Sequence, residues 1–70
     1  MEKSRIGKRI KAFRKLKGFT QIDFAKELNV SINILGSIER GTREVPEELC
    51  EQIAETLKID LEELKGLKEE

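Results

Sequence analysis

The stretch from residue 19 to residue 41, FTQIDFAKELNVSINILGSIERG, constrains the fold more than any other part of the chain. Its apolar residues recur at three- to four-residue intervals, which predicts two short helices with a tight break between them. One set of residues is spaced to pack inward, and the remainder of the chain is expected to hold these two helices in place. The inward set is Phe19, Phe24, Ala25, Leu28, Val30, Leu35 and Ile38.

A second set of residues forms a separate stripe along the second of these helices. Its members occur at i, i+1, i+4, i+5 and i+8, which places them on one face. The stripe consists of Ile32, Asn33, Gly36, Ser37 and Arg40. A helix that buries one face and presents a mostly small and polar outer face is suited to insertion into the major groove of DNA.

Polar caps flanked by apolar residues predict where three helices begin. Thr20, Ser31 and Asp60 are the expected caps of helices two, three and five. Asn29 and Gly41 can adopt the left-handed conformation that ends a helix, and so terminate helices two and three. Each cap contributes about 1 kcal/mol, which matters in a domain of this size.

Five helices account for most of the chain and predict one compact all-α domain over residues 1–70. Residues 1–4 are expected to form a loose arm, and residues 66–70 a fraying C-terminus. Gly18 lies where the glycine that ends helix one belongs. The expected helices are the first from about Arg5 to Lys17, the second after Thr20, the third over residues 31–40, the fourth opening at Pro46 and the fifth from Leu61 to about Leu67.

The net charge is zero, but the charges are distributed unevenly. Residues 1–45 carry 11 Lys/Arg and 5 Asp/Glu, a net charge of +6. Residues 46–70 carry 3 Lys/Arg and 9 Asp/Glu, a net charge of −6. One interpretation is a basic face turned toward phosphates and an acidic face turned away, and the other is ordinary solvated surface.

Several classes of protein are disfavoured by the composition. There is no histidine and a single cysteine, so no zinc site, cofactor site or catalytic constellation is expected, and the protein is not expected to be an enzyme. Cys50 is interpreted as a small buried hydrophobe. No apolar run approaches a membrane span, and no signal peptide is evident, so a cytoplasmic location is expected.

Several spaced motifs together resemble the Cro/lambda-repressor-like helix-turn-helix family, often called the XRE family. The resemblance covers roughly residues 6–65 and is more specific than one short pattern. It implies a helix-turn-helix at about residues 20–40. The motifs that carry it are IGKRIK (6–11), Arg14, TQ (20–21), FAKELNVS (24–31), IERG (38–41) and IAETLKIDLEEL (53–64).

The resemblance implies a role for several individual positions. Arg14 and Glu39 match a buried ion pair that ties helix one to helix three. One group matches family positions that contact DNA phosphates: Thr20, Gln21, Ser31 and Arg43. Arg40 is expected to reach a phosphate as well. Another group lies at or beside the positions that contact bases: Asn33, Ile32, Ser37 and Gly36.

The base-contacting positions depart from the usual pattern of the family, which is polar or basic. Asn33 either determines specificity, because its amide matches adenine N6 and N7, or is an ordinary residue of the helix surface. The first role is preferred. Ile32 either contacts a thymine methyl group or packs on Ile34 or another neighbour. Gly36 either permits close approach to the groove wall or is a tolerated small residue, and Ser37 specifies a base weakly.

Two functional hypotheses follow. The first is a transcription regulator, a repressor, that binds a palindromic operator in double-stranded DNA as a homodimer. Leu61, Leu64 and Leu67 are candidates for the subunit contact, although core packing is preferred for Leu61 and Leu64. The second is a protein-interaction module that reuses the fold through an apolar surface. Its candidate residues are Leu16, Ile22, Ile32 and Ile34.

Overall fold

The computed structural model describes the backbone of residues 2–66 and the side chains of residues 5–66. Within these limits the chain forms five α-helices and no strand, which confirms the predicted all-α fold. No helix in this part of the chain is long and apolar enough to cross a lipid bilayer. The helices are α1 (Glu2–Leu16), α2 (Gln21–Leu28), α3 (Ile32–Arg40), α4 (Glu47–Leu57) and α5 (Leu61–Lys65).

The predicted side-chain caps of α2 and α3 form in the structure. Thr20 Oγ1 accepts a hydrogen bond from the backbone N–H of Asp23 at 3.0 Å, and Ser31 Oγ accepts one from the N–H of Ile34 at 3.1 Å. Asp60 occupies the N-cap position of α5 with an extended backbone. These caps satisfy amides that have no partner inside their own helix, and so they fix where α2 and α3 begin.

The predicted helix ends are also confirmed. Asn29 and Gly41 adopt φ angles of 60° and 84°, and their N–H groups close the last turns of α2 and α3. Gly18 follows α1 with a φ of 85°. The end of α4 was not predicted, because Lys58 takes the left-handed conformation there with a φ of 59° although it has a Cβ.

Three predicted boundaries need correction. Helix α1 begins at Glu2, so residues 2–4 are helical where a loose arm was expected. No glycine or proline interrupts this segment, and a glutamate is favourable in a first helical turn. Pro46 precedes α4 as its N-cap, and α5 ends at Lys65, where Gly66 reverses the backbone with a φ of 77°. Residues 67–70, including Leu67, lie outside the described part.

A single core lies between the five helices. It receives residues from every helix, and α3 packs against both α1 and α2. The partly buried side chains of Ile6, Phe13 and Leu49 pack around its edge. The core consists of Ile10, Phe24, Ala25, Leu28, Leu35, Ile38, Ile53, Ala54, Leu57 and Leu64.

Polar side chains connect helices that are far apart in sequence. The guanidinium of Arg9 donates from Nε to the carbonyl of Leu64 at 3.0 Å and from Nη2 to that of Glu63 at 2.6 Å. Gln52 donates from Nε2 to the carbonyl of Leu28 at 3.2 Å. Carbonyls near a helix C-terminus lack partners inside the helix. These bonds therefore finish α5 and α2 and attach them to α1 and α4.

Helix α1 approaches α3 unusually closely at Gly7. A Cβ built on Gly7 would collide with the backbone carbonyl of Ile38 and would also crowd that of Glu39. Only a glycine therefore fits where α1 crosses the C-terminal half of α3. This contact fixes the position of α3 from the side opposite its exposed face.

Candidate nucleic-acid interface

The exposed face of α3 contains most of the predicted stripe. Asn33 and Arg40 are exposed, Ile32 is 40% exposed, and Ser37 is half-buried. On the opposite face, Leu35 and Ile38 are buried in the core. The helix therefore presents a small, mostly polar surface next to the turn that joins it to α2.

Gly36 is the exception in this stripe, because it is buried. The space above it is covered by Arg40, whose Nη1 would lie 3.2 Å from a Cβ at this position, and by Gln21, whose Nε2 would lie 3.9 Å away. Side chains on a helix point toward its N-terminus, so Arg40 folds back over the residue one turn earlier. The sequence predicted Gly36 on the exposed face of α3. In the structure the guanidinium of Arg40 covers it instead.

The predicted ion pair between α1 and α3 is confirmed. Arg14 Nε lies 2.7 Å from Glu39 Oε2, and Arg14 Nη2 donates to Glu39 Oε1 at 3.2 Å. Both residues are buried, and Arg14 Nη1 also donates to the carbonyl of Phe19 at 2.9 Å. A bidentate pair of this kind fixes orientation as well as distance. It holds α3 and the segment before α2 against α1.

Gln21 belongs to the same network. Its Nε2 donates to Glu39 Oε1 at 3.1 Å, so the nitrogen of the amide faces the carboxylate. An amide nitrogen carries two hydrogens, and one of them stays available to an anion. Gln21 is also the first residue of α2, where backbone N–H groups point out of the helix. The sequence predicted the phosphate role of Gln21 but not its bond to Glu39.

The other candidate phosphate contacts lie on both sides of α3. Thr20 and Ser31 are exposed, and each hydroxyl oxygen accepts a capping bond while its hydrogen stays free to donate to a phosphate. Arg43 is exposed in the loop after α3. Along the chain they precede and follow α3, so exposed hydrogen-bond donors flank that helix in sequence.

An open groove of about 620 Å³ runs between α1 and the C-terminal half of α3. No sequence pattern predicts this groove, because its walls come from α1, α2, α3 and the loop after α3. Lys8 and Lys11 are three residues apart and therefore lie on the same side of α1. The groove is lined by Lys8, Lys11, Gln21, Gly36, Glu39, Arg40 and Thr42.

The structure leaves fewer candidate residues for the dimer contact. Leu64 is 0% exposed and belongs to the core, so it is not available to a second subunit. Leu61 is half-buried and packs against the same core. Both findings confirm the preference for core packing, and Leu67 lies outside the described residues. The apolar surface of the second hypothesis also loses Ile34, which packs against the core.

Cys50 is buried, as predicted for a small hydrophobe. Burial raises the pKa of its thiol above the ordinary value, although the positive charge of Lys65 opposes this shift. A raised thiol pKa disfavours the thiolate, which is the reactive form of cysteine. The side chain therefore contributes packing.

Residues 10–64 match the family model described as "Helix-turn-helix". The chain is 50% identical over 64 residues to YazB of Bacillus subtilis, which is named as an uncharacterized HTH-type transcriptional regulator. The match covers 91% of this chain and 93% of that protein. It is 36% identical over 61 residues to the antitoxin PezA of Streptococcus pneumoniae. That match covers 87% of this chain but 39% of PezA, so the chain spans less than half of PezA.

Two solved structures share the fold over most of the chain. The clp gene regulator ClgR from Corynebacterium glutamicum superimposes with a TM-score of 0.88 at 28% identity, covering 91% of this chain and 68% of ClgR. The restriction-modification controller protein C.AhdI from Aeromonas hydrophila gives a TM-score of 0.82 at 30% identity, covering 87% of this chain and 92% of C.AhdI. By name, ClgR is a gene regulator and C.AhdI is a controller protein.

Proposed function

The chain belongs to the Cro/lambda-repressor-like helix-turn-helix family, whose members are DNA-binding transcription regulators and not enzymes, and from this we propose that it is a sequence-specific repressor. Helix α3 enters the major groove of double-stranded DNA, and residues on either side of it bind the phosphate backbone. The protein acts on DNA in the cytoplasm of the cell.

One observation carries this proposal, namely the contrast between the two faces of α3. The inner face is fixed by the core, by the Arg14–Glu39 ion pair and by the close contact at Gly7. The outer face is exposed and carries Asn33 near its N-terminal end. A rigidly held helix with an exposed amide can present that amide to base edges in a fixed register.

Asn33 determines the sequence preference in this proposal. Its amide can donate to adenine N7 and accept from adenine N6 in a bidentate arrangement. Ile32 is exposed enough to contact a thymine methyl group, and Ser37 contributes a weaker polar contact. Because these groups are few, much of the affinity comes from phosphate contacts and some of the specificity from DNA shape.

A homodimer is part of the same proposal. One domain of this size contacts few base pairs, and two copies would bind half-sites about 10 base pairs apart in a palindromic operator. With Leu64 in the core, Leu67 and the half-buried Leu61 are the remaining candidates from the predicted contact.

The names of the regulators YazB, ClgR and C.AhdI support a role in regulation.

A protein-interaction module is the second candidate. Leu16 is 75% exposed and Ile22 is 57% exposed, and such large apolar side chains are suited to burial against a partner. Binding of a protein through these residues without affinity for DNA would favour this candidate.

The variants Asn33→Ala and Arg43→Ala separate specificity from affinity. We expect Asn33→Ala to lose discrimination at one base position per half-site, worth about 1–3 kcal/mol, because the amide that matches adenine is gone. We expect Arg43→Ala to weaken binding to all sequences alike, because it removes a phosphate contact. Selection of bound sites from random duplex DNA, followed by sequencing, measures both effects. If Asn33→Ala selects the same sites as the unmodified protein, Asn33 does not contact a base.

A further inference from the structure

We propose that the groove between α1 and α3 is a further DNA-backbone site, in which Lys8 and Lys11 each bind a backbone phosphate beside Gln21 and Arg40. This proposal rests on the proposed DNA binding and extends it to α1, a helix with no predicted role at the DNA. The two lysines are exposed, lie on one side of α1 and line the groove.

The position of the lysines follows from Gly7. Since Gly7 has no side chain, α1 lies directly against the backbone of α3 at Ile38 and Glu39. Lys8 is adjacent to that contact, and Lys11 lies one turn further along α1. The close packing therefore brings both ammonium groups to the C-terminal half of α3, on the rim that α3 shares with the start of α2.

The opposite wall of the groove supplies further donors. Arg40 lies back across Gly36 and places its guanidinium near the amide of Gln21. Gln21 is also the first residue of α2, and the first backbone amides of a helix have no partner inside it. Cationic side chains and helix N-terminal amides are the groups that bind phosphate oxygens.

The carboxylate in the groove does not repel an anion strongly, because it is already paired. Glu39 is buried, binds Arg14 at 2.7 Å and accepts from Gln21 at 3.1 Å. Its charge is therefore offset from within the protein, while Lys8, Lys11 and Arg40 remain at the opening. Thr42 lines the groove but offers no hydrogen-bond donor to a phosphate, because its hydroxyl already donates to the carbonyl of Ser37 at 3.2 Å.

The test compares Lys8→Gln/Lys11→Gln with a control that also removes two positive charges, Lys26→Gln/Lys58→Gln. The control lysines are exposed and lie outside the groove. Binding to duplex DNA is measured by fluorescence anisotropy over a series of salt concentrations. Circular dichroism confirms that both variants are folded.

We expect the groove variant to bind DNA about eightfold more weakly per lysine at about 0.1 M salt. The slope of log K against log salt is expected to be less steep by about 1.8, because two phosphate contacts are lost. The base preference of the groove variant is expected to stay unchanged. The slope of the control variant is also expected to stay unchanged.

Three outcomes overturn the proposal, and they are distinguishable. If the unmodified protein binds DNA and the groove variant keeps its slope, α1 makes no backbone contact while the proposed function stands. If the unmodified, folded protein binds no DNA at any salt concentration, the proposed function fails and the groove proposal fails with it. An equal loss of slope in both variants would also overturn it, since the effect would then be one of overall charge.

Discussion

Glu39→Ala is expected to destabilise the protein by about 3–5 kcal/mol, because it leaves the buried Arg14 guanidinium without its counter-charge. The change also removes the acceptor of the Gln21 amide. The total stability of a 70-residue domain is about 4–10 kcal/mol. Denaturant unfolding followed by circular dichroism should therefore show a protein near its unfolding threshold at room temperature.

Two further variants identify the cause of this loss. The salt bridge between Lys65 Nζ and Glu47 Oε1 is also 2.7 Å long, but it lies at the surface, so Glu47→Ala should cost far less. Arg14→Met/Glu39→Met should recover part of the loss, because no charge stays buried. If the free energy of unfolding of Glu39→Ala lies within about 1 kcal/mol of that of the unmodified protein, the pair does not hold α1 and α3 together.

Gly7→Ala is expected to destabilise the protein by about 3 kcal/mol, although alanine is the better helix former. In an open helix the same change would stabilise by about 0.5–1 kcal/mol. Here the new methyl group would collide with the backbone carbonyl of Ile38, which cannot rotate away as a side chain can. The two helices would have to separate, and overpacking of this kind typically costs 1–3 kcal/mol or more.

Gly36→Ala is the matched control, since Gly36 is also buried and inside a helix. A Cβ there would meet the end of the flexible Arg40 side chain at 3.2 Å, which can move. We therefore expect Gly36→Ala to be neutral or stabilising by up to about 1 kcal/mol. Thermal unfolding should show a lower Tm for Gly7→Ala and an unchanged or higher Tm for Gly36→Ala. A stabilising Gly7→Ala would contradict the close contact between α1 and α3.

The local features of the fold were predictable because they depend on neighbours in sequence. Thr20 and Ser31 bond to amides three residues away, and Asn29 and Gly41 act through their own backbone conformations. The 3.6-residue period identified most of the core for the same reason. The start of α1 was misplaced, since nothing in residues 2–5 distinguishes an arm from a helical turn.

The features that were missed depend on contacts between distant residues. Arg9 binds carbonyls 54 and 55 positions away, and Gly7 is explained by a carbonyl of α3. The groove follows from how α1 crosses α3, so Lys8 and Lys11 did not stand out from the other lysines of α1. The Arg14–Glu39 pair also spans distant residues, yet the family resemblance implied it.

The DNA contact proposed for this chain is mainly electrostatic, and its strength should therefore depend on salt. The basic residues assigned to it are Lys8, Lys11, Arg40 and Arg43, which all lie in the basic half of the chain. Four phosphate contacts predict a slope of about −3.6 per subunit for log K against log salt. The affinity of one subunit should then fall about 150-fold between about 50 and 200 mM salt.

Titration of the folded protein with random-sequence duplex DNA at these two salt concentrations measures this dependence directly. We predict binding at the lower concentration and a loss of affinity of this size or larger at the higher one, larger if two subunits bind together. Absence of binding at the lower concentration, or an affinity that does not change with salt, would contradict a DNA-binding function for this protein.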